Sequence, residues 1–206
     1  MTDRYVELHA ASAFSFLEGA SLPDQLIERA VQLEMPAMAL LDRNGFYGSA
    51  RFHHSAQMNK VRTHVGVEIA VSSFGSRLAP PAWLPHQHKP EPTRLPLLCE
   101  SREGYQNLCQ LITRFKMREK TKGEGAANFE DLQQYASGLV CLTGGDEGPL
   151  AAALIRGGED AGRETVEQLA SSRARGGMAQ PGSHAHRQIS QAASDRNQRG
   201  SLCGRV

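Results

Sequence analysis

Three side chains that can bind ligands or transfer protons stand at or near the ends of predicted strands. His9 ends an alternating segment that begins at Tyr5, Asp42 follows the apolar run 37–41, and Glu68 lies in the strand-like segment 63–71. In α/β proteins the carboxyl ends of parallel strands meet at one edge of the sheet, where ligand-binding and catalytic groups gather. The sequence therefore predicts that the three side chains lie close together.

The elements around these side chains alternate between the two regular periods. Apolar residues recur every two residues in the predicted strands and every three or four in the predicted helices. The predicted strands are 5–9, 37–41, 63–71, 94–100 and 138–143, and the predicted helices are 22–34, 48–59, 103–118, a short one from 128 to 135, 146–156 and 159–172. This order is typical of parallel βαβ units, so we predict an α/β fold with parallel strands.

Composition narrows the class of protein. A length of 206 residues suits one domain or part of a larger one, and a net formal charge of +1 gives no broad basic surface for tight DNA binding. The four cysteines lack CxxC pairing, which indicates reduced thiols, and no leader or transmembrane run is evident. We expect a soluble, cytoplasmic protein with no membrane contact.

Two stretches break the periodic pattern. Residues 72–93 contain five prolines and are expected to form an irregular surface loop. Residues 173–206 contain six arginines, no glutamate and no apolar period, so they cannot bury a face and are predicted to be a disordered tail.

Several motifs, in the right order, resemble one known family. They are YVELHAASAFSFLEGAS at 5–21, LDRNGFYG at 41–48, VGVE at 65–68, EGYQNL at 103–108 and GLVCLTG at 138–144. They resemble the polymerase and histidinol phosphatase (PHP) domain that opens bacterial C-family DNA polymerases, especially the error-prone, DnaE-type branch. The resemblance implies a distorted (β/α)7 barrel. With five predicted strands, residues 1–172 would be the incomplete, N-terminal part of such a PHP domain.

The resemblance also implies a site in which histidines and carboxylates hold up to three divalent metal ions. His9 matches the first histidine of the family's HxH motif, whereas Ala11 stands in place of the second. Glu18 stands where the family has aspartate, and Glu68 matches the bridging glutamate. Asp42 matches the aspartate of the family's Asp-His pair.

The departures all replace ligands by non-ligands. Arg43 replaces the histidine of the Asp-His pair, while Arg94 and Gly145 align loosely with a histidine and a cysteine. We expect Arg43 to pair with Asp42 or Glu68, since a guanidinium can substitute for a metal ion. The sequence favours a residual polar network that holds no cofactor. If the site is occupied, the expected ions are Zn²⁺, Mn²⁺ or Mg²⁺.

The resemblance leads to two functional hypotheses. The first is a structural, non-catalytic PHP fragment of an error-prone, translesion DNA polymerase, a nucleotidyltransferase whose partners are DNA and its other polymerase domains. The alternative is a metal-dependent PHP phosphoesterase or 3′–5′ exonuclease. Because the likeness fades after about residue 170, we favour a reading-frame shift as the origin of the tail over a native disordered terminus.

Other candidates have ordinary explanations. His53-His54 is expected on a helix surface, His86-Gln87-His88 in the surface loop, and the basic cluster 116–122 at a solvated helix end, although in a whole polymerase it would be placed to face DNA. Ser12 and Ser15 have no evident base nearby and are not predicted to be nucleophiles.

Overall fold

The computed structural model describes residues 5–72, 92–121, 123 and 125–175, with side chains as far as residue 171. Five strands form one sheet in the order β1-β2-β3-β4-β5. This confirms the predicted α/β class and all five predicted strands. The strands are β1 (Glu7–Ala10), β2 (Ala37–Arg43), β3 (Arg62–Val71), β4 (Thr93–Cys99) and β5 (Leu139–Cys141).

The first half of the chain consists of two parallel crossovers. Helix α1 (Pro23–Gln32) joins β1 to β2, and α2 (Ser49–Asn59) joins β2 to β3. The structure begins α1 after Leu22, whose backbone N–H donates to Oε1 of Gln25. The inward faces of both helices pack on β2. Helices and strand together form a small apolar cluster: Ile27, Ala30, Met38, Leu40, Phe52 and Ala56.

The prediction of an all-parallel sheet is wrong at β4. This strand runs antiparallel to both of its neighbours, β3 and β5. Periodicity shows which residues face the core but not which way a strand runs, and a parallel connection requires a crossover, usually a helix. No helix was predicted between β3 and β4. The reversal brings the start of β4 to the edge where β1, β2 and β3 end, with Arg94 paired to Ala70 in register.

The second half of the chain contributes helices that pack against β3, β4 and β5. Helix α3 (Arg102–Arg118) is capped by Ser101, whose side chain accepts from the Gly104 N–H, and α4 (Phe129–Tyr135) is capped by Asn128. Helix α5 (Pro149–Arg175) is interrupted at Gly158, where φ is 67°, in agreement with two predicted helices. The main core lies between this layer and the sheet: Val67, Ile69, Val71, Leu95, Leu97, Leu108, Leu111, Ile112, Phe115, Ala127, Leu132 and Leu139.

Two predictions lie outside the described residues. These are the surface loop with His86 and His88, and nearly all of the tail predicted from 173 onward. Within the described ranges, no helix is long and apolar enough to cross a membrane.

Candidate site at the carboxyl edge of the sheet

A cluster of charged side chains lies at the edge where the three parallel strands end. His9 comes from β1, Arg43 and Glu68 are register partners on β2 and β3, and Arg94 comes from the start of β4. Glu18 reaches the cluster from the loop between β1 and α1. The structure thus brings together three of the four predicted ligand-type residues, namely His9, Glu18 and Glu68, with both predicted arginines.

His9 and Glu68 form one half of the cluster. Nε2 of His9 lies 2.9 Å from Oε1 of Glu68. The hydrogen bond to this carboxylate raises the pKa of His9 above its ordinary value; burial opposes the shift, and the charges of Glu68 and Glu7 add to it. The pair is therefore a charge-assisted contact that strengthens as the imidazole becomes protonated.

Glu18 forms the other half, because it is held by both arginines. Its Oε1 accepts from Nη1 of Arg43 and lies 2.9 Å from Nη2 of Arg94. The expected pairing of Arg43 with Asp42 or Glu68 is wrong: the described partner of its guanidinium is Glu18. Adjacent residues of a strand point to opposite faces, so Arg43 cannot readily turn back to Asp42.

Arg94 links the cluster to Glu147, which was predicted in the helix 146–156 but lies in a loop before α5 begins at Pro149. Its Nη1 lies 2.9 Å from Oε2 of Glu147 and 3.9 Å from Oε2 of Glu68. Its backbone N–H also donates to the Glu147 carbonyl oxygen at 2.8 Å. The sequence signal that could have indicated this contact is Glu147 itself, an acidic residue shortly after β5. The loop that carries it returns to the start of β4, where Arg94 lies.

Asp42 was predicted to belong to the cluster, but its side-chain hydrogen bonds go to other residues. Its carboxylate is 1% exposed and accepts four hydrogen bonds. Oδ1 accepts from the backbone N–H and hydroxyl of Ser12 at 2.9 and 2.8 Å and from the Ser15 hydroxyl at 2.9 Å, and Oδ2 accepts from the Gly48 N–H at 2.8 Å. Asp42 therefore anchors the β1–α1 loop and the start of α2.

The β1–α1 loop is folded tightly, which fixes the position of Glu18. The hydroxyl of Ser15 accepts from the Arg43 N–H at 3.0 Å, and its carbonyl oxygen accepts from the N–H groups of Glu18 and Gly19 at 3.0 Å each. A Cβ at Gly19 would overlap the Ser12 carbonyl oxygen, so this position requires glycine. Ser12 and Ser15 thus donate hydrogen bonds to Asp42, a structural role that was not predicted from the sequence.

The sequence of this chain is similar to a known domain family and to several known proteins. A family model described as "PHP domain" matches residues 7–179. The chain belongs to the PHP domain family. It is 36% identical to an error-prone DNA polymerase of Mycolicibacterium paratuberculosis, over 80% of this chain and 14% of the relative. It is 40% identical to that of Anaeromyxobacter sp. strain K, over 73% of this chain and 13% of the relative.

Two further matches are weaker. The chain is 31% identical to the DNA polymerase III subunit alpha of Buchnera aphidicola, over 75% of this chain and 12% of the relative. A solved structure of a putative metal-dependent phosphoesterase from Bifidobacterium adolescentis matches with a TM-score of 0.40 and 13% identity, over 56% of this chain and 34% of that one. This PHP chain thus spans about one seventh of the length of the polymerases that it matches.

The residues present in this PHP chain do not fit a metal centre. Four donors already surround the carboxylate of Asp42, and two guanidinium groups lie on Glu18. A divalent cation beside Arg43 and Arg94 would meet like charges at short range, which is unfavourable at any protein dielectric. Although His9, Glu18 and Glu68 share one cluster, no group of three His, Cys, Asp or Glu side chains among the described residues is arranged so that it could hold a metal ion.

The remaining candidates have structural partners. Nδ1 of His53 lies 3.1 Å from the Thr63 hydroxyl oxygen. Nζ of Lys116 donates to the Tyr47 hydroxyl at 2.9 Å and lies 5.3 Å from the centre of its ring. Burial raises the pKa of the Cys99 thiol to about 12, which keeps it protonated and unreactive.

Proposed function

We propose that this chain is the PHP region of an error-prone, translesion DNA polymerase and that it acts as a structural module without catalysis of its own. The names of the relatives support the polymerase assignment, and those whole proteins are far longer than this chain. In such a polymerase the partners of this region are the other polymerase domains and, through them, DNA. The described cysteines are unpaired, which is consistent with the reducing cytoplasm as its location.

One observation carries the structural role. Arg43 and Arg94 both contact the Glu18 carboxylate, at the edge of the sheet where the resemblance places metal ligands. The two guanidinium groups bring fixed positive charge to carboxylates that would otherwise repel one another. The cluster therefore joins the β1–α1 loop to β2 and β4 without requiring an ion.

The alternative is a metal-dependent phosphoesterase or 3′–5′ exonuclease. It is favoured by the retention of His9 and Glu68 at 2.9 Å from each other, two residue types that can bind Zn²⁺ or Mn²⁺. In this alternative the ion would supply an activated water, and Arg43 and Arg94 would have to release Glu18.

A hydrolysis assay separates the two functions. The purified chain is incubated with a single-stranded oligonucleotide labelled at its 5′ end and with p-nitrophenyl phosphate, with Mn²⁺, Zn²⁺ or Mg²⁺ added. We expect no hydrolysis above that of a Glu68→Ala preparation purified in parallel. Metal-stimulated shortening of the oligonucleotide that disappears in Glu68→Ala would establish the enzyme instead.

A further inference from the structure

The β1–α1 loop presents large apolar side chains to solvent. Phe16 is 82% exposed and Leu17 is 89% exposed, and Phe14 beside them is also exposed. Single exposed apolar residues are common on protein surfaces, but adjacent ones on one loop are a feature of contact sites. Both residues lie within two positions of Glu18, so the pair is next to the charged cluster along the chain.

The exposure of this pair does not come from a loose loop. Ser15 on one side is bound to Asp42 and to the Arg43 backbone, and Glu18 on the other side is bound to Arg43 and Arg94. Leu17 also has a φ of 64°, the left-handed region that leucine rarely adopts. The fold therefore holds an apolar pair outward in a strained conformation, as a preformed contact element would be held.

The charges of the surrounding segment restrict the kind of partner. Residues 5–28 contain no lysine or arginine, while they include Glu7, Glu18, Asp24 and Glu28. The two arginines next to the loop, Arg43 and Arg94, are both paired with Glu18. Binding of nucleic acid or of an anionic membrane surface depends on basic side chains. The chemistry of this loop instead suits an apolar recess on another polypeptide.

We propose that Phe16 and Leu17 insert into an apolar recess on the polymerase body that accompanies this region in its relatives. The inference rests on the proposed function. The chain matches only 14% of the Mycolicibacterium paratuberculosis polymerase, so most of that protein lies outside the matched part and is available as the occupant. The contact would lie beside the Glu18 cluster, which holds the loop in its docking conformation.

The test measures binding to a defined probe. The probe is the Mycolicibacterium paratuberculosis polymerase without the part that this chain matches, with its folding verified by circular dichroism. The 206-residue chain is immobilised, and the affinity is measured by biolayer interferometry for the unsubstituted chain and for Phe16→Ser and Leu17→Asn. Asparagine tolerates the left-handed region, so Leu17→Asn removes the apolar contact without adding strain. Ile155→Ser is the matched control, since Ile155 is 83% exposed on α5.

We expect each loop substitution to weaken binding by about tenfold or more, and Ile155→Ser to change it by less than about twofold. Equal affinity of all variants, or no binding by the unsubstituted chain, would overturn the inference. So would binding of a single-stranded oligonucleotide or of anionic vesicles that Phe16→Ser abolishes. If the chain binds the polymerase and substitution of Phe16 or Leu17 leaves the affinity unchanged, only this inference is contradicted. Metal-dependent hydrolysis would instead contradict the proposed structural role.

Discussion

Nη2 of Arg94 lies 2.9 Å from Oε1 of Glu18, the same oxygen that accepts from Arg43. Glu18 lies on the β1–α1 loop, Arg43 ends β2, and Arg94 lies near the start of the antiparallel β4. One carboxylate thereby connects three segments that are distant in sequence. The contribution of this carboxylate to stability can be measured, and four further measurements follow from the surrounding geometry.

The first prediction concerns this carboxylate. Glu18→Gln removes the negative charge that both arginines share, so we expect the free energy of unfolding to fall by about 1 kcal/mol, as for a partly exposed ion pair. The measurement is urea unfolding at low salt. Glu147→Gln is the control, because Glu147 is 67% exposed and contacts only Arg94 among the described cations; it should cost less. A larger loss from Glu147→Gln would contradict the central place of Glu18.

The second prediction concerns the anchor of the loop. Asp42→Asn places an amide NH2 against donors that surround a buried carboxylate, so we expect a loss of about 3 kcal/mol in unfolding free energy. Urea unfolding of Asp24→Asn serves as the comparison, because Asp24 makes a partly exposed pair with Arg51 at 2.7 Å. Equal effects at the two positions would show that Asp42 is not the anchor described above.

The third prediction concerns the backbone of the same loop. Gly19→Ala would push a methyl group into the Ser12 carbonyl, whereas Gly145→Ala places one where no atom lies within 4 Å. We expect Gly19→Ala to destabilise the fold by about 1–3 kcal/mol and Gly145→Ala to have little effect. Thermal unfolding of both variants provides the measurement, and an unchanged midpoint for Gly19→Ala would refute the close approach.

The fourth prediction concerns two histidines whose pKa values move in opposite directions. The hydrogen bond to Glu68 raises the pKa of His9, while burial, aided by the charge of Arg62, lowers the pKa of His64. A raised pKa in the folded state means that the His9 contribution to stability is complete below the unfolded pKa of about 6.5. It is lost as the pH rises through the folded pKa.

His64 has the opposite sign. Because its folded pKa is lowered, the neutral ring is favoured, and the His64 contribution to stability is lost as the pH falls through the folded pKa. NMR titration of the imidazole resonances separates the two groups, and Glu68→Gln should bring the pKa of His9 down without moving that of His64. A His9 pKa that ignores Glu68→Gln would contradict the 2.9 Å contact.

Much of the fold was predictable from apolar spacing. The five strands and the helices follow from residues such as Leu108, Leu111 and Phe115, which recur on one face of α3 and are buried in the core. The direction of β4 was not predictable, because Leu95, Leu97 and Leu98 would be buried in either orientation. Strand direction depends on the path of the connection 72–92, most of which has no periodic pattern.

The sequence predicted which residues lie in the site better than it predicted which of them contact one another. His9, Glu18 and Glu68 were located by motif, and both arginines were expected nearby. The partner of Arg43 was missed because it lies on a loop whose course depends on Ser12, Ser15 and Gly19 rather than on any period. The hydrogen-bond partners of Asp42 were missed for the same reason, since nothing in a strand pattern shows that its carboxylate accepts from that loop.

The most direct test of the metal-free cluster is titration of the purified, chelator-treated chain with Mn²⁺ and with Zn²⁺ by isothermal calorimetry. If Arg43 and Arg94 occupy the position of the ions, neither titration gives saturable binding that depends on Glu68, and the heats of the unsubstituted chain and of Glu68→Ala coincide. A saturable isotherm near one ion per chain that disappears in Glu68→Ala would contradict the account.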